Sequence, residues 1–118
     1  MADVTILHNP ACSTSRAALA QVEASGLDHE VVLYLKAPLD GTAIRDLLDK
    51  LDDEPTALVR RDPYFTTVGL TDDDVRTREQ VVAVLLEHPR LLQRPVLVRG
   101  QRAIIGRPKD RVAPFLEA

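Results

Sequence analysis

The chain has 118 residues, 28% of them charged and 45% hydrophobic, with a net charge of −3. That is the size and composition of one ordinary globular domain, too weakly charged for bulk attraction to nucleic acid or anionic lipid, and its apolar runs are too short to span a bilayer. The single cysteine, Cys12, excludes an internal disulfide, a multi-thiolate zinc site and a C-x-x-C redox pair.

The first residues show no basic region followed by an apolar stretch, so no secretory signal is expected and a reducing cytoplasm is the expected setting. Residues 3–7 read as a buried strand. A helix follows from Ser13, with Ser13, Thr14 or Ser15 as its N-cap, Leu19 and Val22 on its apolar face, and Gly26 at its stop. The apolar run 31–35 reads as a second buried strand. Two such strands joined by a helix form a right-handed βαβ unit with parallel strands.

Pro38-Leu39-Asp40-Gly41 predicts a turn, and Ile44, Leu47, Leu48 and Leu51 then recur at i, i+3, i+4 and i+7, the pattern of an amphipathic helix. Pro55 opens a short helical piece that ends near Arg60-Arg61, and residues 62–74 read as loop. Within that loop Asp72-Asp73-Asp74 reads as a solvated helix N-terminus and not as a metal site. Arg78–Glu87 predicts a helix stopped by His88-Pro89. A hairpin follows, Pro95 to Val98 and Arg102 to Ile105, turning at Arg99-Gly100-Gln101. Its Val96-Leu97-Val98 run could serve as a sheet edge. Gly106-Arg107-Pro108 ends the hairpin and starts a last helix, with Pro108 at its first position and Pro114 shortening it. The order βαβ, helices, ββα predicts a single α/β domain with a thioredoxin-like (glutaredoxin-like) mixed sheet and a helical insertion over about residues 37–92.

Cys12 stands where the first strand feeds the first helix. A free thiol has a pKa of about 8.5 and is only slightly ionised at neutral pH. Lowering that by two units takes about 2.7 kcal/mol. A helix N-terminus supplies up to about 2 kcal/mol of this, and the imidazole of His8 or a hydroxyl of Thr14 or Ser15 could supply the rest. Cys12 therefore reads as a nucleophile, against the plainer reading of a buried apolar cysteine. The hydroxyls of Ser13, Thr14 and Ser15 suit an anion-binding loop as well as they suit a simple cap.

The arginines decide between those two. Arg61, Arg78 and Arg99 read as solvated surface charges, but Arg94 directly precedes Pro95 at the start of a strand. In a thioredoxin-like fold that residue faces the helix-start cysteine, and its bond to Pro95 is a candidate for cis. Guanidinium groups hold tetrahedral oxyanions bidentately. His29 and His88 read as structural, and three scattered histidines give no metal-ligand spacing.

The run His8-Asn9-Pro10-x-Cys12-x-Thr14-Ser15-Arg16, with Leu58-Val59-Arg60, Gln93-Arg94-Pro95 and Gly106-Arg107-Pro108, closely resembles the glutaredoxin-coupled arsenate reductases, from about residue 3 to residue 116. The resemblance implies that Cys12 is the nucleophile and that His8 and Ser15 keep it ionised. It implies that Arg60, Arg94 and Arg107 hold the oxyanion, helped by Ser13, Thr14 and Arg16, with Asn9 and Pro95 shaping the site. No bound cofactor or metal is implied. Arsenate is the implied substrate, glutathione the co-substrate and glutaredoxin the partner; neither nucleic acid nor membrane is expected to bind. Position 13 departs from the pattern, with Ser where glycine is frequent, and the chain stops soon after its last helix.

Two alternatives stay open. Transcriptional regulators of the same fold bind RNA polymerase, but the redox-sensing ones use C-x-x-C and position 15 here is Ser. A general glutathione-dependent thiol reductase would need no metalloid. The phosphatase-like arsenate reductases need Cys-x5-Arg, and Ala18 excludes them.

Overall fold

The computed structural model describes residues 2–117. A four-stranded sheet carries the chain in the order β2-β1-β3-β4, with β1 Val4–Leu7, β2 His29–Val32, β3 Val96–Arg99 and β4 Arg102–Ile105. β1 and β2 run parallel, joined by helix α1, Ser13–Ala24. β3 is antiparallel to both β1 and β4. This is the predicted thioredoxin-like plan of βαβ followed by a hairpin. Gly100 turns the hairpin at φ 62°, the conformation that a type II′ turn asks of its first central residue.

Because successive strand residues point to opposite faces, neighbours in sequence serve different cores. Val4, Ile6, Leu97 and Ile104 pack on one face against Ala18 and Val22 of α1. Val112, Phe115 and Leu116 of the last helix, α5 (Val112–Glu117; α2 to α4 follow below), close that layer. Leu7, Val96, Ala103 and Ile105 face the other way, into the larger cluster built by the insertion. There α2 (Gly41–Lys50) and α4 (Arg78–Glu87) contribute Ile44, Leu47, Leu48, Val81, Val82 and Leu85. Asp40 caps α2 by accepting from the Ala43 N–H at 2.8 Å.

Four expectations are corrected. The strand expected at 31–35 is His29–Val32 and is not buried: as the outermost strand β2 leaves Val31 38% exposed. Leu33 instead starts a turn, its carbonyl accepting from Lys36 and Ala37, which turns Tyr34 fully inward. The loop expected over 62–74 contains helix α3 (Pro63–Thr67) and a 3-10 turn at Asp72–Val75. The signal was present in Asp62-Pro63, since Asp62 accepts from the Phe65 N–H at 3.1 Å and Pro63 occupies the first helical position. The last helix begins at Val112, after a 3-10 turn at Lys109–Arg111, and Pro114 stands in its first turn, where a missing N–H costs little. β3 is no edge: it is paired on both sides. No helix among the described residues is long and apolar enough to cross a membrane.

Candidate active site

Cys12 is itself the N-cap of α1, with extended backbone (φ −100°, ψ 121°) and no side-chain cap bond. None of the three hydroxyl residues predicted for that role fills it. The chain reaches this point through a tight loop. The Asn9 side chain accepts from the Ala11 N–H at 3.0 Å, and the Cys12 N–H donates to the Asn9 carbonyl at 3.0 Å. The side chain of Arg16 returns over the loop to the Pro10 carbonyl at 2.8 Å, on its solvent side. Ser13 is exposed.

Ser15 is fully buried, and its hydroxyl lies 2.7 Å from His8 Nδ1 while accepting from the Asn9 N–H at 3.1 Å. Its hydroxyl therefore ties the strand end to the helix, and what Ser15 contributes to the lowered thiol pKa is its backbone N–H. The same holds for Thr14. His8 is buried, and burial together with the charge of Arg16 pushes its pKa below the ordinary histidine value. At neutral pH His8 is thus a neutral group, acting on the loop through Ser15, and it does not support the thiolate as a cation.

The positive charge comes from across the sheet. β3 pairs with β1, which brings the residue before it against the cysteine loop. Arg94, joined to Pro95 by a cis bond, puts its positive charge by Cys12 and lowers the thiol pKa. The Arg107–Pro108 bond, which carried no such expectation, is also cis. Gly106 donates its N–H to the Pro95 carbonyl at 2.8 Å, and a Cβ built there would lie 2.8 Å from Pro95 Cγ. Only glycine permits that approach, which sets Arg107 beside Arg94. Arg107 then donates from Nε to the Arg94 carbonyl at 2.8 Å and from Nη2 to Cys12 Sγ at 3.3 Å. Burial raises the thiol pKa, but the N–H of Ser15, the Arg94 guanidinium and the N–H of Thr14 outweigh it, and the pKa falls below the ordinary cysteine value. The result is a half-buried, acidified thiol with Arg107 on its sulfur and the charge of Arg94 nearby. It can attack an electrophilic centre whose oxygens carry negative charge.

The model of the ArsC family matches residues 7–115. The chain belongs to the ArsC family. It is 33% identical to an arsenate reductase of Neisseria meningitidis serogroup A, the match covering 98% of this chain and all of that protein. It is 36% identical to the uncharacterized protein YfgD of Escherichia coli K12, over 92% of each. The solved structure of an arsenate reductase from Vibrio cholerae superposes with a TM-score of 0.79, at 31% identity, covering 96% of this chain and 97% of that one.

In this ArsC-family chain Arg60 stands apart from the other two arginines. Its Nε donates to Asp62 at 3.1 Å, and its backbone N–H donates to the Leu91 carbonyl at 2.8 Å. Asp62 lines an open cleft of about 370 Å³ together with Asn9, Leu35, Arg90 and Arg94. Asp62, Arg90 and the buried Tyr34 were all missed by sequence reasoning. Asp62 carried a helix-cap signature, whereas Arg90, whose guanidinium stacks over Tyr64 at 3.9 Å, carried no local signal. His88 accepts its expected structural part as the C-cap of α4, with Nδ1 3.1 Å from the Tyr64 hydroxyl. Among the described residues no group of three or more His, Cys, Asp or Glu is placed to hold a metal ion.

Proposed function

We propose that this protein reduces arsenate to arsenite at Cys12, drawing electrons from glutathione and glutaredoxin in the cytoplasm. The observation that carries the reading is the sulfur of the chain's one cysteine lying 3.3 Å from Arg107 Nη2, with the charge of Arg94 also lowering its pKa. The arsenate reductase relatives support it.

In the proposed cycle Arg94 and Arg107, with Arg60 held by Asp62, bind the arsenate oxygens. The Cys12 thiolate attacks arsenic; an S–As bond forms and one oxygen leaves as water after protonation. Glutathione displaces a second oxygen and becomes bonded to arsenic. A glutaredoxin thiolate then attacks the glutathione sulfur. The glutathione–arsenic bond breaks with its electron pair left on arsenic, which falls from As(V) to As(III), and a glutaredoxin–glutathione mixed disulfide carries away the oxidised thiols. Water releases arsenite and restores Cys12. The outside thiols are required because this chain offers no second cysteine.

The test is a coupled assay of thiol oxidation with arsenate, with phosphate and with neither, on wild type and Cys12→Ser. Arsenate-dependent turnover in wild type alone is the expected result. Turnover retained by Cys12→Ser overturns the mechanism. Thiol oxidation that ignores arsenate but still needs Cys12 points to a general glutathione-dependent thiol reductase.

A further inference from the structure

Tyr34 is 1% exposed, and its ring lies against Leu39, Ile44, Leu85, Pro89 and Leu92, an aliphatic wall that a phenylalanine would fill equally well. Its hydroxyl completes no hydrogen bond, and neither does the buried Nε of Arg94. Its polar surroundings are the Asn9 amide, the Arg94 guanidinium and the Cys12 sulfur. Leu35, the next residue, lines the same cleft as Asn9 and Arg94. Burying a hydroxyl without a partner is unfavourable, as is burying a guanidinium N–H without one, and here two such orphans are neighbours at the reactive thiol. The hydroxyl adds nothing to the packing of the ring, so its effect falls on the site. With less than 1 Å² of the oxygen exposed, it reaches no substrate directly and acts through Arg94.

We propose that Tyr34 is a positioning residue of the oxyanion site: its hydroxyl oxygen accepts a hydrogen bond from Arg94 and fixes the guanidinium by Cys12 when an anion, the Cys12 thiolate or a bound oxyanion, engages it. The proposal rests on the reading of Cys12 and Arg94 as an oxyanion site. Arginine has donors only, so the oxygen of Tyr34 must be the acceptor, which leaves the phenolic proton free to turn toward the Asn9 carboxamide oxygen. A correctly held guanidinium binds the charged ligand better without altering the chemical step, so the loss belongs in KM and not in kcat.

The test is Tyr34→Phe, which keeps the ring. Two readouts need no turnover. One is the pH midpoint of Cys12 alkylation by iodoacetamide; the other is the concentration of arsenate or of phosphate that half-protects Cys12 from alkylation. The expected result is an upward shift of the alkylation midpoint and about a tenfold higher half-protecting concentration, the loss of one hydrogen bond to a charged group. With arsenate as substrate, KM rises by the same factor and kcat changes less than about twofold. The melting temperature stays the same or rises, because an unpaired buried hydroxyl is gone. An unchanged alkylation midpoint overturns the proposal even if the wild type proves to reduce no arsenate, a result that would count against the arsenate reading alone. A loss confined to kcat also overturns it and makes the phenol a proton donor instead.

Discussion

The loop that carries Cys12 and the wall of arginines opposite it are built in opposite ways. The loop closes on itself through short-range bonds, Asn9 to Ala11 and His8 to Ser15, two and seven residues apart. The side chains of His8, Asn9, Ser15 and Arg16 are tied to the backbone or to one another, which makes the loop a firm base for the sulfur. The wall is assembled from residues distant in sequence: Arg107 meets Cys12 across 95 residues and the Arg94 carbonyl across 13. It also holds the site's unpaired atoms, Arg94 Nε and the Tyr34 hydroxyl. The contrast separates two tasks. In the proposed site the nucleophile is held by its own loop, whereas the oxyanion holders are set in place by distant segments and keep polar atoms unpaired behind them.

The sharpest way to break this comparison is to remove the arginines singly. Arg94→Ala deletes a positive charge that lowers the thiol pKa and faces the cleft, so KM for arsenate should rise about 10- to 100-fold, and Cys12 alkylation at pH 7 should slow. Arg60→Ala, whose charge is already shared with Asp62, should raise KM by about a tenth as much. Steady-state kinetics of the two variants decide the matter; equal rises would mean that Arg60 belongs to the wall as fully as Arg94.

Ser15→Ala tests the loop. It leaves the Asn9 N–H and His8 Nδ1 without their buried partner, and urea unfolding should show a loss of about 2 kcal/mol. The alkylation midpoint of Cys12 should move little, because the Ser15 group that lowers the thiol pKa is its backbone N–H, which the variant keeps. A shift of a full pH unit would show that the hydroxyl itself holds the thiolate.

The smallest effect is on pH. The His8 pKa is depressed in the folded protein, so between the folded value and the unfolded value of about 6.5 the unfolded chain binds more protons. Stability due to His8 is therefore full above about pH 6.5 and declines as pH falls below it, by up to about 1 kcal/mol at pH 5.5. Urea midpoints at pH 7 and 5.5 for wild type and His8→Gln measure it. The wild type should lose more than the variant, and parallel losses would exclude His8 as the source.

Much of this was written locally. The capped, periodic helices, the hairpin at Gly100, the strand entering Cys12 and the Arg94-Pro95 step all carry their signals within a few residues. Where local reading failed, tertiary position had overridden the pattern. The apolar run 31–35 carried the signal of a buried strand, yet its strand part lies at the sheet edge and its inward residue, Tyr34, belongs to the site wall. Ser13, Thr14 and Ser15 looked like caps, but Ser15 is spent on His8 and Asn9, and the cysteine takes the cap position.

The sequence by itself determined the βαβ–ββα order and the solitary thiol at a helix start, because periodicity, turn chemistry and a cysteine count are local properties. Only the tertiary structure decided which arginines share the sulfur, that His8 is neutral, and that Tyr34 stands behind Arg94. Those facts depend on β3 lying beside β1, segments that the sequence leaves some ninety residues apart, and on Gly106 allowing the chain to close on Pro95.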